Sequence, residues 1–408
     1  MNVTIAPSRA IGAVTAPPSK SDSHRKLICA GLSDGESVID RIAFSEDIRA
    51  TIDCLRALGT KIDIDKNTVK VTGCDPKSND AIGVLNCRES GSTLRFLIPV
   101  CMLSGRKITL TGSKKLLSRP LSVYKELADR QGLLFDSGSC FLEVCGPLSG
   151  GDFGFLGNIS SQFLSGLLFA LPLAEKNSTV TLYPPVSSKP YIDMTVSSLE
   201  KFGIEIERKG DEIFNICGGQ KYLPGSFRVE GDYSNAAFLD ALGIIGGDVT
   251  VAGLDDGSIQ GDRVYKTLFK RLESGFCEID LTDCPDLGPI LFVLAAMFDG
   301  AKFYGTERLR IKESDRVEAM AGELEKCGVK TAVLNDSVTV YGGKIKAPAS
   351  PICGHNDHRV VMSMAVLLSK VGGTINGAEA VKKSFPDFFE VIRGLGIEVK
   401  EIKENGMD

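Results

Sequence analysis

The sequence predicts an α/β (α+β) protein of two domains, each built from three similar units. Two observations carry this reading. The chain has 408 residues, 43% hydrophobic and 24% charged, the proportions of a globular protein long enough for about two to four separate cores. Within it, a run of helix formers, one glycine and a short alternating apolar strand occur in succession six times, at Gly59, Gly132, Gly203, Gly275, Gly328 and Gly396.

The copies read CLRALGTKIDID, ELADRQGLLFD, SLEKFGIEIER, LFKRLESGFCEID, ELEKCGVKTAV and VIRGLGIEVK, at intervals of 73, 71, 72, 53 and 68 residues. A helix ends readily on a glycine in the left-handed region, and the chain can then turn into a strand. Period-two alternation, as at Ile204 and Ile206 or Ile397 and Val399, predicts that strand. Four positions before the glycine the residue is apolar in five copies (Leu55, Ala128, Leu199, Leu324, Ile392), and the fourth copy has Arg271. One helix–glycine–strand is common in any α/β protein; six near one period predict a repeat. The short fourth interval and the segment KYLPGSF around Pro224 place a domain boundary within residues 220–230.

Composition excludes several functions. Lys and Arg number 47 against 52 Asp and Glu, a formal net charge of -5, without the basic excess of a nucleic-acid binder. The twelve cysteines form no C-x-x-C pair and read as reduced, mostly buried thiols of a cytoplasmic protein. The longest apolar run, from Ile290 to Phe298, is nine residues, short of the ~20 a membrane span needs. The first twenty-five residues show no basic start followed by an apolar stretch, so no signal peptide is expected.

Against that acidic background, small polar and basic residues recur at predicted helix starts. APPSKSDSHR brings Lys20, Ser21 and Arg25 to a helix start, where free N–H groups favour an anion. RESGSTLRFLIPV places Gly91 where a ligand could approach the backbone, before an apolar helix carrying Arg95; it is not a P-loop, and no G-x-G-x-x-G occurs. Arg119 precedes Pro120 and is predicted extended, with its side chain free to project. GNISSQFLSGLL and VSSKPYIDM supply Ser160, Ser161, Gln162, Ser188, Lys189 and Tyr191 at two more starts. Taken singly, each is an ordinary cap or solvated face; together they point to local anion capture.

The second half adds carboxylates. TDCPDLGPILFVLAA sets Asp286 before a strongly apolar helix, a place that also suits a plain capping carboxylate. In ERLRIKESDRVEAM, Lys312, Glu313 and Arg316 can share one surface, with Glu313 and Arg316 three apart. GHNDHRVVMSMAVLL holds His355 and His358; no third ligand accompanies them, and a helix N-terminus favours an anion at His358 and Arg359 over a metal. VKKSFPDFFEVI adds Lys382 and Lys383.

In order, PPSKSDSHR, ESGSTLRFL, SRP, SSQFLSGLL, SSKPYIDMT, GDYSNAAFL, DCPDLGPIL, RIKESDR, NDHR and KKSFPDFFE resemble the motifs of the enolpyruvyl transferase family, in its EPSP synthase branch, over residues 16 to 390. The resemblance implies six βαβαββ-type repeats, three per domain, each domain an inside-out α/β barrel. It implies two crossings between domains, so that residues 1–17 join 229–408 and residues 18–228 form the other domain, with the site in the interdomain cleft. The implied reaction transfers the enolpyruvyl group of phosphoenolpyruvate to the 5-hydroxyl of shikimate-3-phosphate, through a tetrahedral intermediate, on the route to chorismate. No metal or organic cofactor, nucleic acid or membrane partner is implied, and a monomer is expected.

Carried over by motif, Lys20, Ser21, Arg25, Ser160, Ser161, Gln162, Ser188, Asp286 and Lys312 would hold shikimate-3-phosphate. Lys20, Gly91, Arg119, Gln162, Arg316, Arg359 and Lys383 would hold phosphoenolpyruvate. Asp286, Glu313 and Lys20 would be catalytic, Asp286 as base on the hydroxyl and Glu313 or Lys20 as proton donor to the methylene carbon. The chain departs from the pattern at Glu89, Ser92 and Arg308, where Asn, Thr and Asn are often found. The alternative within the fold is a UDP-N-acetylglucosamine enolpyruvyl transferase, which resembles this chain less: that relative typically carries a cysteine just before the arginine matching Arg119, and none lies between Cys101 and Cys140. A nucleic-acid-encircling ring of six α/β units would need a continuous basic lining, which Glu89, Asp286 and Glu313 interrupt.

Overall fold

Each of the six repeat glycines follows a helix and precedes a strand, with φ between 67° and 126°. That range is open to glycine and strained for other residues, which is why the sequence keeps one there. The strands start later than the alternation suggests in three copies: after Gly203 the strand is Ile206–Lys209, after Gly328 it is Thr331–Val333, and after Gly396 it is Val399–Ile402. Ile204 and Ile397 precede those strands and are buried instead in the helix-to-strand turn.

The computed structural model describes residues 1–77 and 83–402. The chain divides into one unit of Pro18–Glu230 and another of Met1–Pro17 with Gly231–Asp408. The second crossing therefore lies at 230/231, against the 228/229 read from sequence. Each unit has its own hydrophobic core.

Among the described residues the first unit holds three four-stranded sheets. Their strand orders are Ser226–Arg228, Glu36–Asp40, Thr68–Thr72, Lys61–Asp65; Leu85–Asn86, Ile108–Thr111, Phe141–Cys145, Leu134–Ser137; and Gly151–Leu156, Ser178–Tyr183, Ile213–Ile216, Ile206–Lys209. In each, the first pair is parallel and the other two are antiparallel. The parallel pair requires a crossover helix and the final hairpin does not, so the chain order is βαβαββ in the second and third sheets, while in the first Ser226–Arg228 returns from the far end of the unit.

The second unit repeats this pattern twice: Cys277–Asp280, Gly300–Tyr304, Ser337–Tyr341, Thr331–Val333, and Ile352–Cys353, Gly373–Asn376, Asn2–Ile5, Val399–Ile402. Asn2–Ile5 thus completes a sheet begun some 350 residues later. The remaining sheet is only the parallel pair Ile11–Thr15 and Asp248–Ala252. After Gly275 the chain passes directly into Cys277–Asp280, the first strand of the next sheet, without a hairpin between. That omission is the short fourth interval of the sequence repeat. It leaves Val249 and Val251 half-buried, whereas Ile108 and Leu110, on the corresponding strand of a complete sheet, are buried. All six sheets described are open, so the barrel expected from the resemblance is not a closed ladder of strands.

Within each repeat the first helix is buried nearly all round: Lys20–Gly31, Gly91–Cys101 and Ser161–Ala170 in one unit, Tyr233–Ile244, Gly288–Met297 and His358–Val371 in the other. A helix apolar on all faces must be a core helix. The second helix of each repeat, such as Glu46–Ala57 or Arg316–Lys326, is amphipathic and packs one face inward. No helix among the described residues is long and apolar enough to cross a membrane. Of the twelve free cysteines, six are buried, three intermediate and three (Cys140, Cys217, Cys353) exposed, fewer buried than composition suggested.

Candidate active site

The residues singled out from sequence lie at helix starts of both kinds. First helices contribute Lys20 and Ser21, Gly91, Ser160 and Ser161, Asp286 and Arg359; second helices are preceded or opened by Arg119, Ser188, Arg316 and Lys383. The repeat itself accounts for this. A buried helix exposes its unsatisfied N–H groups only at its first turn, and its dipole favours negative charge there.

In the unit Pro18–Glu230, Ser19 caps the helix Lys20–Gly31, accepting from the Asp22 N–H. Arg25 is 3% exposed and its guanidinium is held from three sides: Nε donates to Thr195 Oγ1 at 2.9 Å, Nη1 to the Ser21 carbonyl at 2.7 Å and Nη2 to the Tyr191 carbonyl at 2.8 Å. It also lies over the Phe96 ring. Burial pulls its pKa down to about 10, with Asp22 opposing, so Arg25 remains a cation at neutral pH. Lys20 Nζ lies 3.0 Å from Asp47 Oδ2.

Gly91, Arg119 and Gln162 lie close together. A Cβ on Gly91 would stand 2.8 Å from Arg119 Nη1 and 3.8 Å from Gln162 Oε1. Gln162 is fixed at both ends of its amide: Oε1 accepts from Arg95 Nη1 at 2.8 Å and Nε2 donates to Ser92 Oγ at 3.0 Å. Ser160 caps its helix, accepting from the Gln162 N–H at 3.3 Å, and Ser160 and Ser161 are both buried. Ser188 is buried with φ 56°, a left-handed conformation that costs free energy for serine.

In the other unit one guanidinium collects three carboxylates. Arg316, 1% exposed, donates from Nε to Asp357 Oδ2 at 2.9 Å, from Nη1 to Asp286 Oδ1 at 2.9 Å and from Nη2 to Glu313 Oε2 at 2.6 Å. Burial opposes its charge, but Asp357, Glu313 and Asp286 together hold its pKa above the ordinary value. Burial likewise pushes Asp357 up, and the Arg316 charge more than offsets it, leaving that carboxyl below its usual range. Asp286 accepts from two further cations, Arg359 Nη2 at 2.9 Å and Lys312 Nζ at 3.3 Å. Arg359 Nη1 also donates to the Asp286 carbonyl at 2.9 Å and to Ser234 Oγ at 2.6 Å. Burial lowers the pKa of Lys312, against the pull of Asp286.

Lys383 Nζ donates to the Asn356 carbonyl at 2.7 Å, next to Asp357 in sequence. The two histidines of the His-x-x-His segment do not converge: His355 Nε2 lies 2.8 Å from Glu323 Oε1, whereas His358 is buried. Among the described residues no group of three or more His, Cys, Asp and Glu side chains is arranged to hold a metal ion. Sequence reading missed Asp47, which sits in the first turn after the Ser45 cap and is indistinguishable there from ordinary helix-start charge. It also missed Thr195, Ser234 and Asp262, whose partners are remote in sequence. A sharper signal was available: the repeat assigns one helix start per repeat to each site residue, and Asp47 and Asp262 occupy the two second-helix positions left vacant.

The family profile of EPSP synthase (3-phosphoshikimate 1-carboxyvinyltransferase) matches residues 5–279 and 266–392. A 3-phosphoshikimate 1-carboxyvinyltransferase of Clostridium novyi (strain NT) is 39% identical over 427 aligned residues, covering 97% of each chain. One from Clostridium kluyveri is 40% identical over 422 residues, covering 98% of each. Among solved structures, an EPSP synthase from Acinetobacter baumannii superposes with a TM-score of 0.78 at 26% identity, covering 98% of this chain and all of that one.

Proposed function

The chain belongs to the EPSP synthase family, and we propose that it transfers the enolpyruvyl group of phosphoenolpyruvate to the 5-hydroxyl of shikimate-3-phosphate, releasing phosphate. The observation that carries the residue assignments is the arrangement at Arg316, whose Nη1 and Nη2 hold two different carboxylates, Asp286 and Glu313. Addition followed by elimination needs a base at the acceptor hydroxyl and an acid at the methylene carbon, and a shared guanidinium keeps two carboxylates near each other without merging their roles.

In this reading Asp286 takes the proton from the 5-hydroxyl as its oxygen bonds to C2 of phosphoenolpyruvate. Glu313 or Lys20 delivers a proton to C3, giving a tetrahedral intermediate. The bond from C2 to the phosphate oxygen then breaks, C3 returns its proton, and phosphate leaves with the electron pair. Lys20, Gly91, Arg119, Gln162, Arg316, Arg359 and Lys383 receive the donor. Lys20, Ser21, Arg25, Ser160, Ser161, Gln162, Ser188, Asp286 and Lys312 receive the acceptor. Both substrates are anions, so cations held rigidly by buried hydrogen bonds can bring them together. The reading is of a monomeric enzyme acting in the cytoplasm.

The test is phosphate release from phosphoenolpyruvate with shikimate-3-phosphate or UDP-N-acetylglucosamine as acceptor. Turnover with the first and none with the second is expected; turnover with the sugar nucleotide alone would overturn the reading.

A further inference from the structure

One repeat supplies nothing to the assignments above: the incomplete one, whose helices are Tyr233–Ile244 and Tyr265–Glu273. Both of its helix starts nevertheless carry buried polar side chains. Ser234 is 6% exposed and accepts from Arg359 Nη1 at 2.6 Å. Its hydroxyl donates in turn to the carboxylate of Asp262, 5% exposed, in the turn Gly261–Val264. That turn is tied to the neighbouring helix start by Gln260, whose Oε1 accepts from the Tyr233 N–H at 3.1 Å and whose Nε2 donates to the Gly231 carbonyl at 2.7 Å. Arg359 then reaches Asp286 through both its terminal nitrogens. A continuous path therefore runs from Asp262 through Ser234 and Arg359 to Asp286.

A buried carboxylate is costly to ionise, and this one is surrounded by further acids. The groups that face it are Asp286, Arg359 and Asp232, with the Cys284 thiol also within its field. We propose that Asp262 is a positioning residue for the reaction: through the Ser234 hydroxyl it fixes the Arg359 guanidinium against Asp286, so that the donor meets a cation whose orientation is already set. The proposal rests on the functional reading above and deepens it. Ser234 can orient Arg359 in one direction only while its own proton is committed to an acceptor, and an ionised Asp262 is that acceptor. Burial and Asp286 push the Asp262 carboxyl up to about 6, against Arg359, so the path changes its protonation around that pH.

The experiment compares the wild-type chain with Asp262→Asn, Ser234→Ala and the double variant. It reads KM for each substrate, kcat from pH 5 to 8 and Tm. Expected for Asp262→Asn is a rise of about tenfold in KM for phosphoenolpyruvate with KM for shikimate-3-phosphate within about twofold. Ser234→Ala should act in the same direction, and the double variant should be no worse than the more severe single one, because both break one path. The fall in wild-type kcat below about pH 6 should lose one component in Asp262→Asn; substrate phosphates that titrate nearby are common to both. The Tm of Asp262→Asn at pH 7 should not lie below that of wild type. Kinetics within twofold of wild type at every pH, additive effects in the double variant, or equal losses for both substrates with a lowered Tm would each overturn the proposal. Wild-type chain inactive with the two substrates would instead overturn the functional reading.

Discussion

Lys312 Nζ lies 3.3 Å from Asp286 Oδ1, the same oxygen that accepts from Arg316 Nη1 at 2.9 Å. The two cations differ: burial lowers the pKa of Lys312, whereas Arg316 stays charged at any accessible pH. Lys312 therefore loses its proton at lower pH than an ordinary lysine, and with it any hold on an anionic acceptor. KM for shikimate-3-phosphate should rise on the alkaline side, at a lower pH than an ordinary lysine would give. Lys312→Arg should flatten that rise, and Lys312→Ala should raise KM at pH 7 by about tenfold or more. An alkaline profile identical in wild type and Lys312→Arg would refute the assignment.

Gly91 offers a test that leaves the fold intact. The Cβ of an alanine there would lie 2.8 Å from Arg119 Nη1, the far end of a flexible side chain, and touch no backbone. Arg119 should move aside. KM for phosphoenolpyruvate should rise by about tenfold, roughly 1.4 kcal/mol, with Tm nearly unchanged. A drop in Tm with unaltered KM would show that Gly91 serves packing only.

Arg316 should be as important to stability as to turnover. Replacing it with methionine leaves Asp286, Glu313 and Asp357 without their common cation. Removing one partner of a buried ion pair costs about 3–5 kcal/mol, readable in urea unfolding. The compact ammonium of a lysine lacks the planar spread of donors by which Arg316 reaches three carboxylates, and should restore only part of that loss. The deficit of Arg316→Met should shrink as pH falls towards 4 and the carboxylates take up protons; a deficit independent of pH would argue for a packing defect.

Asp262 gives the opposite pH signature. Its folded pKa, about 6, lies above the unfolded value near 3.9, so the folded state prefers the protonated form. The stability this brings is fully present below pH 4 and is lost as pH rises through about 6. Asp262→Asn should consequently raise Tm at pH 7 to 8 and change it little at pH 4. Scanning calorimetry at the two pH values decides the point, and equal shifts at both would be evidence against an ionised buried carboxylate.

Much of the fold was legible because a repeat needs only local chemistry to be seen. The six glycines mark helix ends that no other residue tolerates well, whereas the 53-residue interval, read from sequence as a sign of a domain boundary, has its cause in a missing hairpin. The site was legible only in part. Gly91, Ser160 and Asp286 stand at helix starts that local sequence reveals. Arg316, by contrast, takes its meaning from Asp286 and Asp357, 30 and 41 positions away, and Arg25 from Thr195, 170 positions away. Asp262 carries no local mark, since an acid in a turn before a helix has an ordinary explanation; its burial and its neighbours come only with tertiary structure. The expectation of local anion capture was also incomplete, because on Arg316, Lys312 and Arg359 the positive charge is interleaved with carboxylates.

The two-stranded sheet has a consequence for engineering. Where four of its counterparts turn through a hairpin and the fifth pairs its strand with Asn2–Ile5, this repeat runs from Ser274 through Gly275 and the exposed Phe276 straight into the next strand. The protein tolerates the shortest version of a module whose longer version it builds five times elsewhere. A spliced hairpin between Ser274 and Cys277 would lengthen a sheet at its open margin and cap Val249 and Val251, so this junction is a natural docking port for added sequence.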